Sequence, residues 1–468
     1  MSETHRTFVS ILVDNAQDGK KVRLKKTSEH IKKIQDNIIP NNFTTPYGER
    51  QIVYVDYTAT GRHLAFVEDY IQKKVIPFYG NTHTSTSVTG LQTSCFRHEA
   101  RTIIANATNS HRKDDVVRRP YTQARSTHYI YTHTHAYPQV LMTGAGSTSA
   151  INQMCHILHL DVPLKEGAKQ PVVFVGPFEH HSNELPWRES CAKVVRCPEN
   201  SKGHLCLKTL EKLLIEFKSK SSLMIGSFSA CSNITGVLTD TNKTTALLHR
   251  HGALAFFDYA TAGPYVQIDM NPVVLGEDDV KKDAVFISPH KFIGGPGSCG
   301  ILIAKKKLFS TNRTPYRPGG GTVFFVTPNE HRYLSNRVER EEGGTPDIMG
   351  SIRAGLAFQI RCGVSLTELQ ALETEICDKV LKRFDRMKNV VVLARHVTPR
   401  LPVISFLIRH ETRFLHHNFV SAVLNDVYGI QSTLFDFLLT HSLTHPLHKQ
   451  THTHTQVVVD VHVLVLTP

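Results

Sequence analysis

Residues 283–300 read Asp283-Ala284-Val285-Phe286-Ile287-Ser288-Pro289-His290-Lys291-Phe292-Ile293-Gly294-Gly295-Pro296-Gly297-Ser298-Cys299-Gly300. The run to Ile287 has the β-branched and aromatic character of a buried strand, and the Ser, Pro and Gly that follow are turn formers. Lys291 is therefore set at the end of a strand, positioned by the backbone rather than left to solvent. Upstream, Ala255-Phe256-Phe257-Asp258 puts a carboxylate at the end of a second apolar strand.

An amine and a carboxylate delivered in this way are the two groups that a pyridoxal phosphate (PLP) site needs. The lysine forms a Schiff base, and the aspartate keeps the pyridine nitrogen protonated so that the ring accepts electrons. Either residue alone is commonplace: a solvated strand end, a cap or turn former. The remaining motifs change that. Leu141-Met142-Thr143-Gly144-Ala145-Gly146-Ser147-Thr148 reads as a strand entering a glycine and hydroxyl loop, and Ser149 to His159 has helical periodicity. Free N–H groups at a helix start, the helix dipole and two hydroxyls make an anion site, although the spacing does not match a dinucleotide fingerprint. Glu179-His180-His181-Ser182-Asn183 follows the strand Val172 to Val175, and a histidine there can stack on a flat ring. Adjacent histidines of an extended chain point apart, so His180 and His181 make a poor chelate, and no metal site is expected. Ser232-Asn233-Ile234-Thr235-Gly236 follows the strand Leu223 to Ser229, where the Asn233 amide can hydrogen-bond a phenolic oxygen.

In this order the motifs resemble the class V aminotransferase family, and within it the cysteine desulfurase and selenocysteine lyase branch. The matching elements also include Tyr54-Val55-Asp56-Tyr57-Thr58-Ala59-Thr60 and Gly80-Asn81-Thr82-His83, and the resemblance runs over residues 50–432. It implies an α/β, PLP-dependent transferase fold type I: a large domain with a mainly parallel sheet covered by helices, and a smaller C-terminal α+β domain. It implies Lys291 as the Schiff-base lysine, Asp258 as the pyridinium partner, His180 as the stacking and catalytic ring, and Asn233 as the phenolate contact. Ser147, Thr148, Ser288 and His290 would bind phosphate, and Ala59, Asn81 and His83 would lie near the substrate. The turn Gly319-Gly320-Gly321-Thr322 would reach into the other subunit's site, so a homodimer is implied, with Thr322 binding cofactor. Thr261 stands where the desulfurase branch often has glutamine.

Composition agrees with this class. A chain of 468 residues has room for two domains and a large core. The expected divisions are an N-terminal arm over 1–45, a large PLP-binding domain over 46–335 and a small domain over 336–432. Strands alternating with helical patterns between about residues 140 and 305 predict a parallel sheet covered on both faces. The nine cysteines include no Cys-x-x-Cys pair, which favours reduced thiols. The net charge of +13 is dispersed, so a solvated surface is the reading and nucleic acid is not an expected partner. No run reaches the ~20 apolar residues of a membrane span, nor does the start carry a signal peptide's apolar run; a soluble, cytoplasmic protein is expected.

Two stretches stand apart. Residues 117–139 contain no acidic residue and no core-forming period, and the alternation Tyr131-Thr132-His133-Thr134-His135 returns as Thr451-His452-Thr453-His454-Thr455. Alternating threonine and histidine is what an ACACAC repeat encodes in one frame, so 117–139 reads as a low-complexity insert. After Ser432 the resemblance stops, and 433–468 reads as a divergent, disordered tail. Desulfurases place a mobile cysteine nucleophile and a substrate-clamping arginine in that region; here the last cysteine is Cys377 and the last arginine Arg413. The expected function is a PLP-dependent enzyme acting on a small amino-acid substrate, cysteine desulfurase-like. The alternatives are another class V reaction that needs no cysteine nucleophile, or a PLP-binding protein impaired by its tail.

Overall fold

Successive residues of the central strands enter two different apolar clusters. Phe257, Val285, Ile287, Ile301 and Ile303 join one; Phe256, Ala284, Phe286 and Leu302 join the other. A strand whose neighbours point to opposite faces can bury both only when both faces are covered, which is why these runs are continuously apolar. The computed structural model describes residues 23–82, 86–110, 140–276, 279–309, 313–435 and 456–460. The insert expected at 117–139 lies outside the described residues.

Among them the main sheet has seven strands: β1 (Val140–Thr143), β2 (Val172–Val175), β3 (Lys193–Arg196), β4 (Met224–Ser229), β5 (Leu254–Asp258), β6 (Ala284–Ile287) and β7 (Gly300–Ala304). Their spatial order is β1-β7-β6-β5-β4-β2-β3. Strands β3, β2, β4, β5 and β6 pair in parallel, whereas β7 runs antiparallel to both β6 and β1. The sheet is thus mainly parallel, as expected, with β7 as its antiparallel member. Between Ile287 and Gly300 lies a turn with no crossover helix, and a chain that returns so directly can only pair antiparallel.

The covering helices include α1 (Val88–Ala107), α2 (Gly146–Ile157), α3 (Leu207–Phe217), α4 (Thr241–Arg250) and α5 (Ile348–Cys362). Helix α4 starts where Asp240 accepts from the Lys243 N–H at 3.0 Å and stops before Gly252, whose φ of +77° a glycine adopts without strain. The edge strand β1 is held from the side: the Met142 N–H donates to Glu342 at 2.8 Å, and Arg101 Nε donates to the Val140 carbonyl at 2.9 Å. Arg97 and Arg101 share the same buried Glu342 carboxylate, so the ion cluster ties α1 to the edge of the sheet.

A second sheet is centred on β9 (Val403–His410), flanked by β8 (Val390–Val392) and packed under α6 (Leu366–Phe384) through Cys377, Leu381 and Ile404. Two pieces of the tail depart from the expected disorder. Strand β10 (Thr433–Phe435) and strand β11 (Gln456–Asp460) pair antiparallel, and β11 pairs antiparallel with β9. The β-branched run Val457-Val458-Val459 suits a strand, and the open edge of β9 offers it unpaired backbone groups. No helix among the described residues is long and apolar enough to cross a membrane.

Candidate active site

Strand β1 is antiparallel to β7 and therefore parallel to the rest, so the carboxyl ends of β1, β2, β4, β5 and β6 open on one side of the sheet. Ligands of such sheets bind there, because the loops that leave neighbouring strand ends converge. The loops at 144–148, 179–183, 231–233 and 288–291 and the last residue of β5 meet around a cavity of about 490 Å³, inside the ~300–1,000 Å³ of small-molecule sites.

Nine of the sequence-predicted residues line it: Ala59, Ser147, Thr148, His180, Asn233, Asp258, Ser288, His290 and Lys291. Three do not. Asn81 is exposed, and its Nδ2 reaches Thr345 Oγ1 at 3.5 Å; Thr322 is buried with its hydroxyl donating to the Gly319 carbonyl at 2.6 Å. His83 lies outside the described residues. Thr58, Ser182, Cys231 and Ser298 line the cavity without having been singled out. Ser182 and Cys231 sit inside or beside the motifs at 179–183 and 232–236, but turn geometry alone decides which neighbour of a motif faces inward.

Asp258 ends β5 only 4% exposed, with the Ala260 N–H donating to Oδ1 at 2.9 Å. Burial pushes its carboxyl up from the usual range, while the Ala260 N–H, the charge of Lys291 and the Ser147 hydroxyl pull it back towards the anion. His180 is held down to about 4 by burial, then by Lys291 and His181, and His290 likewise to about 4 by burial and Lys291. Both rings are neutral at pH 7. The Ser182 N–H donates to His180 Nδ1 at 3.1 Å, which places the proton of the neutral ring on Nε2. The Thr148 hydroxyl donates to Ser182 Oγ at 2.8 Å and joins the 144–148 loop to the His180 turn.

The Ser147 N–H donates to Ser288 Oγ at 2.9 Å. Gly146 has a φ of +54°, and a Cβ there would stand 2.7 Å from Ser288 Oγ and 3.1 Å from His290 Cε1. Only glycine brings the first turn of α2 so close to the lysine turn. The N-terminal segment holds that turn from outside: the Gly61 N–H and the Thr60 hydroxyl both donate to the His290 carbonyl, at 2.8 and 3.1 Å. Of the nine cysteines, all free, Cys231 alone lines the cavity, its thiol donating to the Gly236 carbonyl at 3.2 Å. Cys377, the nucleophile candidate nearest the expected place in the sequence, is buried in α6 and does not reach the cavity.

These residues fit PLP. The N-terminus of α2 and the hydroxyls beside it could receive its phosphate, Asp258 is a buried acid that could pair with the pyridine nitrogen, and Lys291 opens on the same cavity.

Comparison with known proteins agrees. The family model for Aminotransferase class-V matches residues 118–432. A probable cysteine desulfurase of Halalkalibacterium halodurans is 27% identical over 276 residues, 58% of this chain and 63% of that protein. A probable cysteine desulfurase of Chlamydia muridarum is 31% identical over 254 residues, 53% of this chain and 56% of that one. The chain thus spans about six tenths of the length of the curated relatives it matches. In fold it is similar to the cysteine desulfurase CsdA of Escherichia coli, with a TM-score of 0.66, 20% identity and coverage of 88% of this chain and 92% of that one. The cysteine desulfurase of Thermococcus onnurineus gives a TM-score of 0.65 at 19% identity, covering 88% and 93%.

Proposed function

The chain belongs to the class V aminotransferase family, and from that premise we propose that it is a PLP-dependent enzyme acting on cysteine by desulfurase-like C–S cleavage, working as a cytoplasmic homodimer with a large and a small domain that divide near residue 336. The observation that carries the reading is the meeting of Lys291 and the buried Asp258 in one cavity that Gly146, Ser147 and Ser288 also line.

Bound PLP supplies an electron sink for the bond broken in the amino acid. Each role below belongs to this chain's own residues. The Lys291 amine holds the cofactor covalently and then moves the substrate proton. Asp258, whose carboxyl burial pushes up while Ala260 and Lys291 pull it back towards the anion, would hold the proton on the pyridine nitrogen. The neutral His180 ring would stack on the pyridine. The Asn233 amide donates to the phenolic oxygen. Ser147, Thr148, Ser288, His290 and the first N–H groups of α2 receive the phosphate, with Thr322 of the second subunit completing that end. Ala59 and Asn81 would lie near the substrate.

A second reading is another class V reaction that needs no thiol, and the state of Cys231 favours it. A thiol that donates to a carbonyl is held in its neutral, weakly nucleophilic form. Sulfide release from cysteine in the presence of reductant decides between them: release lost in Cys231→Ala supports desulfurase chemistry through that thiol, and PLP binding without release supports the second reading.

A further inference from the structure

Glu179 directly precedes His180, yet its carboxylate turns away from the cavity into an enclosed pocket of four donors. Oε1 accepts from the N–H groups of Gly176 at 3.1 Å and Ser229 at 3.0 Å, and Oε2 accepts from Ser229 Oγ at 2.7 Å and Asn183 Nδ2 at 2.5 Å. Four donors are what an ionised carboxylate can accept. Asn183 is wholly buried and cannot flip without loss, because its Oδ1 already accepts from Ser227 Oγ at 2.6 Å and Trp187 Nε1 at 3.3 Å. Its Nδ2 must therefore face Glu179. The residues on either side of His180 and Ser182 are thus both anchored to β4, whose Ser229 pairs with Asp258 of β5.

We propose that Glu179 is a positioning residue that fixes the His180 ring at the cavity by tying the turn 179–183 to strand β4. The inference rests on the reading that His180 stacks on bound PLP. Burial pushes the enclosed carboxyl up to about 7, and the Ser229 hydroxyl, the Ser229 N–H and the Asn183 amide pull it back towards the anion that the four donors fit. Gly176 and Ser229 stand at the ends of β2 and β4, so the carboxylate also sets the spacing between the two strand ends that flank the His180 loop.

A double-mutant cycle on the full chain tests this, with PLP affinity read by absorbance titration. His180→Ala should weaken binding roughly two- to ten-fold, the range of a lost stacking contact. Glu179→Ala should weaken it by a similar factor, and the double variant should bind within about two-fold of His180→Ala alone, because Glu179 acts through the ring. Losses that multiply, or a Glu179→Ala protein that binds PLP as wild type does, overturn the inference. Should Glu179→Ala not fold, Glu179→Gln serves in the same cycle: it keeps the shape but cannot accept from both donors at Oε2. A wild-type chain that fails to bind PLP, or a His180→Ala protein of unchanged affinity, instead refutes the reading of His180 on which the inference rests.

Discussion

Asp258→Ala should leave the fold intact but weaken PLP binding and abolish turnover, because an unprotonated pyridine is a poor electron sink. Absorbance titration together with activity on cysteine checks it. A second prediction at this scale concerns Lys282, which is 2% exposed and plays no part in the site. Burial holds its ammonium down to about 8 from the usual 10.5. The unfolded chain binds more protons between those values, so stability rises with pH across that window and carries the full penalty below it. Lys282→Met should therefore stabilise the protein by about 1–3 kcal/mol at pH 7, and denaturant titrations should show the gain shrinking towards pH 10. Lys291 and Asp258 were legible in the sequence because each closes an apolar run, a pattern that fixes direction as well as burial. Cys231 was not, since it precedes an ordinary turn motif and only the closing of that turn aims it at the cavity. Thr322 and Asn81 were named from resemblance, and neither is among the residues lining the cavity on which Lys291 opens.

The segment Thr60-Gly61 presses on the lysine turn so closely that a Cβ at Gly61 would stand 2.0 Å from the Phe292 carbonyl oxygen. Gly61→Ala should shift that turn, cost about 1–3 kcal/mol as an overpacked contact does, and lower PLP occupancy; a thermal melt and the visible absorbance of the purified protein read both effects. Helix α6 runs from Leu366 to Phe384, where its apolar spacing is regular and the Glu368 N–H donates to Ser365 Oγ at 3.5 Å. Helix α2 begins three residues before the periodic segment, at Gly146, where the residues read as a loop form its first turn. The antiparallel course of β7 was hidden for a different reason: direction within a sheet is set by the connection, and the glycine-rich run after Lys291 carries no period of its own. For the segment 117–139, deletion should leave PLP binding intact, and a protein that no longer folds without it would contradict its reading as an insert. Replacing the residues after Ser432 with the matching segment of an active relative should raise sulfide release. A restored guanidinium partner for the substrate carboxylate is worth roughly 1.5–3 kcal/mol, about ten- to a hundred-fold in affinity.

Taken whole, the described molecule leaves a group of large apolar side chains exposed along one region. Phe324 is 71% and Val326 65% exposed on the hairpin that follows Thr322, and Ile76, Phe78 and Tyr79 are exposed just before Asn81. Contacts join these segments, since Asn81 reaches Thr345 and the Gly344 N–H donates to the Gly320 carbonyl. Such a patch fits a second copy of this chain, so Phe324→Glu with Val326→Glu should turn a dimer into a monomer in analytical ultracentrifugation and lower PLP affinity through loss of the partner's Thr322. The central claim is narrower: Lys291 is the lysine that holds PLP, opposite Asp258. Reduction of the PLP-loaded protein with borohydride, followed by proteolysis and mass spectrometry, tests it most directly. A visible absorbance band that disappears on reduction, with the modification on a peptide containing Lys291 and absent from Lys291→Ala, is the predicted result; a modification on another lysine, or a Lys291→Ala protein that still forms a reducible linkage, would contradict it.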